Sequence, residues 1–167
     1  AQGTHVLTAT YSGDSVNTGS ASASVSQVIN FAPSGALNVA LDANGGVALA
    51  SSTMGAANVP RYVNDGQRSG AGLISGGGGW ADANAGIFPD WVQINFSGQK
   101  TIDHVVVYSV QDNFQNPSEP TDAMTFTLYG LTSFSVQGWN GSTWVTLGSA
   151  SGNNLVKRTI SFSPYTT

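Results

Sequence analysis

Apolar and polar residues alternate with a period of two along most apolar stretches of this chain. Val92, Ile94 and Phe96 alternate with polar residues, so an extended backbone would place all three on one face. An α-helix would scatter them around its axis, because its period is 3.6 residues. Such stretches, separated by turns rich in Gly, Asn, Ser and Pro, predict an all-β sandwich or barrel with at most single helical turns.

The other predicted strands follow from the same alternation or from a run of valines: 102–109, 125–129, 134–137, 143–147 and 156–162. Asn140-Gly141, between Trp139 and Trp144, predicts a hairpin turn because both turn residues tolerate positive φ. Strand patterns around Trp91 and Trp144 favour core packing for both rings. The residues predicted to point inward are Val92, Ile94, Phe96, Val105, Val107, Phe134, Val136, Ile160 and Phe162.

Two long segments interrupt the strand pattern. Residues 68–79 contain four consecutive glycines, Gly76 to Gly79, which supply backbone conformations that other residues avoid. Residues 110–122 contain Gln, Asp, Asn and Pro and are typical of a long loop. Long loops inside compact domains are often functional, so we expect ligand-binding residues in these segments.

The first thirty residues have a different sequence pattern from the rest of the chain. Strands are predicted at 4–11 and 21–29, with a turn at 12–14, and the run 3–14 resembles the closing strands of bacterial immunoglobulin-like repeats. A hairpin alone is marginal in water, so it must pack on something. We therefore assign 1–30 to such a repeat or to an assembly segment, place the boundary near 31–34, and assign 31–167 to a separate β-sandwich.

The composition excludes several classes of partner. The net charge is −4, from nine acidic and five scattered basic residues, whereas nucleic acids and anionic membrane surfaces require clustered bases. No apolar run approaches the about 18 residues that span a bilayer, so no membrane insertion is expected. Only 8% of residues are charged and cysteine is absent. A neutral surface of hydroxyls and amides without disulfides suits an exported, extracellular bacterial protein.

From about Asn38 onward, a collinear set of motifs runs through the chain: Ala50-Ser51-Ser52, Val63-Asn64-Asp65-Gly66, Gly79-Trp80, 90–96, 102–108, 134–144 and 154–162. This order resembles the discoidin-like (coagulation factor 5/8 type C) domains and is similar to family 32 carbohydrate-binding modules. The resemblance implies an eight-stranded jelly-roll β-sandwich, galactose-binding-domain-like, whose loops at one end bind sugars or other surface ligands. Two departures stand out: a glycine-rich insertion separates Gly66 from Trp80, and the family's last strand is not found before Thr167.

The resemblance also implies a structural calcium ion. Asp65 would supply the carboxylate, with backbone carbonyls from Tyr62 and Gln67, and calcium prefers oxygen ligands of this kind. The alternative is that Asp65-Gly66 forms a simple turn, which this dipeptide favours in any case.

Sugar binding requires an aromatic ring that can stack on a pyranose and polar groups nearby. Trp80, Phe114 and Tyr129 lie in or beside loops and are the candidate rings. The candidate polar partners are Arg61, Asp82, Asn84, Asp112 and Asn113. The alternative for each is a solvated loop side chain.

Catalysis finds little support in the sequence. His5 and His104 are the only histidines, Glu119 is the only glutamate, and no Gly-x-Ser-x-Gly motif is present. The expected function is therefore a non-catalytic carbohydrate- or cell-surface-binding module of a larger secreted bacterial protein, with a polysaccharide or glycan as partner. The alternative is a structural or adhesive subunit of an extracellular assembly. There a strand of the N-terminal hairpin, from the same chain or a neighbour, would complete the sandwich and allow head-to-tail self-assembly.

Overall fold

The computed structural model describes residues 3–29 and 36–167, and the chain divides into two compact units, Ala1–Leu37 and Asn38–Thr167. The boundary predicted near 31–34 lies outside the described residues. Strands dominate, and the helices of the described part are short 3-10 turns, so the all-β prediction is confirmed. These turns span Asp42–Asn44, Ala56–Asn58 and Pro60–Val63. No helix in residues 3–29 and 36–167 has the length and apolarity needed to cross a membrane.

The N-terminal unit is one long antiparallel hairpin with an interruption at the same level in both arms. Its strands are β1 (Gly3–Leu7), β2 (Thr10–Gly13), β3 (Thr18–Ala21) and β4 (Val25–Ile29), in which β1 pairs with β4 and β2 with β3. Apart from Gly13, the side-chain positions described in 6–26 are exposed, so the hairpin has no core of its own there.

The hairpin turn lies at 14–17, and the prediction of a turn at 12–14 is wrong. One oxygen of the Asp14 carboxylate accepts the N–H groups of Val16 and Asn17, at 2.8 and 2.7 Å. The other oxygen accepts the hydroxyl of Tyr11 at 2.7 Å. The Tyr11 hydroxyl and these backbone N–H groups hold the pKa of Asp14 well below its usual range. The side chain of Asp14 therefore selects the residues that turn.

The C-terminal unit contains six strands in three antiparallel pairs. They are β5 (Val47–Ala50), β6 (Val92–Asn95), β7 (Thr101–Tyr108), β8 (Phe134–Trp139), β9 (Trp144–Ala150) and β10 (Lys157–Thr166). The pairs are β5 with β6, β7 with β10 and β8 with β9.

Two of these pairs, β7–β10 and β8–β9, pack against each other as two layers. The β7–β10 layer brings Ile160 under Gly148 and the ring of Tyr165 under Gly138. A Cβ atom added at either glycine would lie 2.5 Å from Ile160 Cγ2 or from the Tyr165 ring, so glycine lets the layers approach closely. The buried apolar residues are Phe126, Ala150, Val156 and Ile160.

Most residues predicted to point inward lie in or near this core. Ile160 is buried, and the half-buried ones are Ile94, Phe96, Val105, Val107, Phe134, Val136 and Phe162. The prediction that Val92 points inward is wrong, since 38% of this residue is exposed. Val92 is the first residue of β6, which pairs with β5 alone, and it lies at the end of that ladder. Core packing of Trp91 and Trp144 is also wrong, since their exposed fractions are 48% and 46%.

Two predicted strands differ most from the observed ones. Residues 125–129 do not form a strand; Thr125 makes an isolated bridge with Leu155, and the Asp112 carboxylate takes the N–H groups of Thr127 and Leu128. The strand predicted at 156–162 continues to Thr166, with a register shift between Ser161 and Tyr165.

The hairpin predicted at Asn140-Gly141 is confirmed, with Trp139 opposite Trp144. Of the two turn residues, Gly141 alone has a positive φ, at 97°. The Asn140 carboxamide oxygen instead accepts the N–H groups of Ser142 and Thr143, which fixes the turn from its side chain.

Candidate functional site

The two long loops predicted from the sequence are docked on each other. Gln111 is buried, and its Nε2 donates to the carbonyl oxygens of Ser69 at 3.0 Å and Ser118 at 2.6 Å. Its Oε1 accepts the N–H of Ser118 at 3.2 Å. An exposed ion pair between Arg68 and Glu119, at 2.6 Å, adds a second tie between the loops. The buried amide therefore holds residues 110–122 against residues 68–79.

A second glutamine organises the glycine-rich loop from within. Gln67 Oε1 accepts the N–H groups of Ser69 and Gly70, at 2.7 and 3.1 Å, and its Nε2 donates to the carbonyl of Ala71 at 2.7 Å. The backbone N–H of Gln67 donates to Asp65 Oδ1 at 2.9 Å. The polar side chains at the base of the loop thus fix the path of the chain toward Leu73.

Asp112 fixes the chain segment on the other side of the site. Its carboxylate accepts the Thr127 N–H and hydroxyl, both at 2.8 Å, and the Leu128 N–H at 2.9 Å. Burial alone would raise the pKa of Asp112, but the hydrogen bonds from Leu128 and Thr127 outweigh it and hold the pKa below its ordinary value. Because Tyr129 follows directly, this carboxylate holds the backbone next to the residue that carries the ring.

The result is an aromatic pit between the loops. The rings of Phe114 and Tyr129 meet edge to face, with centroids 5.3 Å apart and an angle of 86° between their planes. Together with Leu73 and Val110 they line an open concavity of about 300 Å³. Phe114 is half-buried, and Tyr129 is 55% exposed. We call this concavity, defined by these four residues, the loop pit.

The structure brings together only part of the predicted site. Phe114 and Tyr129 line the loop pit, and Asp112 supports it through the backbone. Asn113 lies next to Phe114 and donates its Nδ2 to the carbonyl of Asn116 at 2.9 Å. Sequence reasoning missed Leu73 and Val110, because only the lengths of the two loops pointed to this region.

The remaining predicted ligand residues make other contacts. Trp80 donates its Nε1 to the carbonyl of Ser52 at 2.8 Å. Asp82 accepts the N–H of Asn84 at 2.9 Å, which forms a local turn. The guanidinium of Arg61 lies over the ring of its neighbour Tyr62, 5.1 Å from the centroid. None of these side chains lines the loop pit.

The residues predicted to bind calcium lie at a turn. Asp65 Oδ1 accepts the N–H of Gln67, as expected for the simple-turn alternative. The neighbouring Asn64 is buried and donates its Nδ2 to the carbonyls of Ala40 and Gly46, at 2.7 and 3.0 Å. Its Oδ1 is buried without a hydrogen-bond partner among the described residues. No three His, Cys, Asp or Glu side chains in residues 3–29 and 36–167 are grouped closely enough to hold a metal.

A serine, a histidine and an aspartate lie near one another on the β7–β10 ladder. His104 Nδ1 contacts Asp103 Oδ1 at 2.5 Å, and Ser161 is opposite His104 in the register. A nucleophilic serine requires a hydrogen bond to its base, and the described part of the chain has none between Ser161 and His104. Asp103, His104 and Ser161 are also all exposed.

Comparison with family models, with characterised proteins and with solved structures finds no match to this chain.

Proposed function

We propose that this chain is a non-catalytic carbohydrate- or cell-surface-binding module of a larger secreted bacterial protein, and that the loop pit holds its ligand. The observation that carries the proposal is the meeting of Phe114 and Tyr129 around a concavity of about 300 Å³. The two residues are fifteen positions apart in the chain, and the sequence predicts both as candidates for stacking on a sugar. The motif order adds a proposed relationship to the discoidin-like jelly rolls.

The geometry of the loop pit suits a sugar better than a charged ligand. Its four lining side chains carry no charge, and the tyrosine adds a hydroxyl at the rim. The apolar face of a pyranose can pack on the exposed ring of Tyr129 or on the edge of Phe114. The pit is framed by Gln111 and Asp112, whose hydrogen bonds are already satisfied by the protein. The site is therefore preorganised, which lowers the entropic cost of binding.

We also propose a structural calcium ion at the turn that leads into the glycine-rich loop. Asp65 would supply a carboxylate oxygen, and Tyr62 and Gln67 would supply backbone carbonyls. The buried, unpartnered oxygen of the adjacent Asn64 fits a cation, because a buried acceptor without a partner is costly. Bound calcium would stiffen the turn before Gln67.

The second candidate function is a structural or adhesive subunit completed by strand exchange. Every ladder of the described residues joins only two strands, so each strand leaves one edge unpaired. The N-terminal hairpin also exposes Val6, Leu7, Val16 and Val25. An unpaired edge with apolar side chains favours pairing with another chain. Sedimentation at increasing concentration would detect such growth, and a monomer at all concentrations would contradict it.

A printed glycan array tests the first proposal. The wild-type chain and Phe114→Ala are applied at equal concentration, and a thermal melt of each confirms that both are folded. We expect the wild type to bind at least one class of glycan and Phe114→Ala to give a weaker signal on the same spots. Absence of binding by the wild type, or equal signals from the two proteins, would contradict the proposal.

A further inference from the structure

The outward face of the β8–β9 hairpin carries a continuous row of side chains. Gly138 and Gly148 face Tyr165 and Ile160 of the other layer, so the residues that alternate with them point away from the sandwich. The pairing register shifts between Val136 and Gln137, because Val136 pairs with Gly148 and Gln137 pairs with Thr146. The outward cross-strand pairs are Ser135 with Ser149, Gln137 with Thr146, and Trp139 with Trp144. We call these six residues the hairpin face.

The two tryptophans lie next to each other at one end of the hairpin face. Their ring centroids are 5.5 Å apart, their planes are tilted by 59°, and 41% of Trp139 and 46% of Trp144 is exposed. The Trp139 N–H donates to Thr167 Oγ1 at 3.1 Å, and the Asn140 side chain fixes the turn between the rings. The backbone that carries the two rings is therefore already in place, which lowers the cost of binding a ligand there.

The rest of the hairpin face is polar but uncharged. Gln137 Nε2 and Thr146 Oγ1 are 3.5 Å apart, a long contact that leaves both groups free to bond elsewhere. The pairs follow one another at about 7 Å along the strands, the distance of two residues in a β-strand. No Asp, Glu, Lys or Arg occurs between Phe134 and Ala150. The surface therefore offers rings, amides and hydroxyls in a line.

We propose that the hairpin face binds an extended, uncharged polysaccharide. Aromatic rings can pack on the apolar faces of its pyranose units, and the carboxamide of Gln137 and the hydroxyl of Thr146 can bond its hydroxyl groups. An anionic polymer would gain nothing from a surface without cations. A lipid surface would strip water from the amide and hydroxyl row without replacing its hydrogen bonds. This site uses none of the residues of the loop pit.

Cellohexaose, a soluble neutral β-linked chain, is the first probe, and titration calorimetry is the measurement. We expect Trp144→Ala to weaken binding about fivefold, because it removes one stacking ring. Trp144→Tyr keeps a ring and should recover part of the affinity. Trp91→Ala is the matched control: Trp91 is 48% exposed, close to the 46% of Trp144, but lies outside the hairpin face. It should bind as the wild type does.

Two further variants separate this site from the loop pit and from a folding defect. Gln137→Ala leaves both rings in place and should weaken binding about threefold, as expected for a lost neutral hydrogen bond. Phe114→Ala should not change cellohexaose binding at the hairpin face, so failure of one site does not imply failure of the other. If Trp144→Ala unfolds, Gln137→Ala and Trp144→Tyr carry the test.

Several results would overturn the inference. One is equal affinity of the wild type, Trp144→Ala and Gln137→Ala for cellohexaose. Another is a wild type that binds none of cellohexaose, xylohexaose, mannohexaose and chitohexaose. A third is loss in Trp144→Ala of self-association, or of binding to phosphatidylcholine vesicles, with no change in glycan binding.

Discussion

The Phe114–Tyr129 and Trp139–Trp144 pairs have nearly equal centroid separations, 5.3 and 5.5 Å, yet the chain supports them in different ways. Phe114 and Tyr129 come from separate segments, which Asp112 joins by accepting the N–H groups of Thr127 and Leu128. The two tryptophans are direct cross-strand neighbours, and the hairpin register alone places them side by side. One pair depends on tertiary contacts and the other on local geometry.

This difference has consequences for the ligands that each pair suits. The loop pit is an open concavity lined by four side chains, so it suits the end or a branch of a glycan. The hairpin face is a row on a strand surface, so it suits an internal stretch of an extended chain. Two distinct contacts on one module would also raise the avidity for a polysaccharide that can reach both.

The largest expected effect concerns the layer that carries the tryptophan pair. Gly148→Val places a Cβ 2.5 Å from Ile160 Cγ2 and forces the β8–β9 and β7–β10 layers apart. Overpacking of this kind costs about 1–3 kcal/mol, which corresponds to several degrees in Tm. A thermal melt measures it. Gly55→Ala is the control, because no atom lies within 4 Å of its added Cβ. Equal Tm values for the two variants would contradict the close approach of the layers.

A smaller effect separates the two pairs by pH. The pKa of Asp112 is lower in the folded chain than its ordinary value of 3.8. Its contribution to stability is therefore complete above about pH 3.8 and is lost as the pH falls through the folded-state pKa. The Asp112→Asn variant should lack this component of acid sensitivity. It should also weaken ligand binding at the loop pit and leave binding at the hairpin face unchanged. Denaturant melts between pH 2 and 6 measure the difference between the two proteins. Parallel pH profiles for wild type and Asp112→Asn would contradict the role of this carboxylate.

The smallest effect concerns calcium. If calcium binds at Asp65, a free concentration about five times the dissociation constant stabilises the fold by about 1 kcal/mol. Chelation should then lower Tm, and Asp65→Ala should abolish that sensitivity. Asp82→Ala is the control, because Asp82 also accepts an N–H two residues onward but lies at another turn. A Tm that does not respond to sub-micromolar free calcium would exclude the site.

The sequence predicted the features that depend on local pattern. Alternation located most strands, and Asn140-Gly141 located the β8–β9 turn. It failed at Thr127 and Leu128, because their N–H groups bond to a carboxylate fifteen or more residues away in sequence. An acceptor so far away in the sequence does not change the local alternation of apolar and polar residues.

Alternation also shows which residues share a face, but not which face is buried. For that reason Trp144 was assigned to the core although it lies on the outer surface. Gly138, next to Trp139, indicates which face is buried, because a glycine inside a strand often marks a close approach of another layer. The loop pit could be predicted only as separate candidates, since the docking of its loops depends on the buried amide of Gln111.

Titration calorimetry with the strongest glycan from the array tests the central claim most directly. Wild type, Phe114→Ala, Tyr129→Ala and the double variant are compared, with a melt of each to confirm folding. Loss of a stacking ring should cost on the order of 1 kcal/mol, or about fivefold in Kd. Because the two rings touch, the double variant should lose less than the sum of the single losses. An unchanged Kd in the folded double variant would show that the loop pit does not bind the glycan.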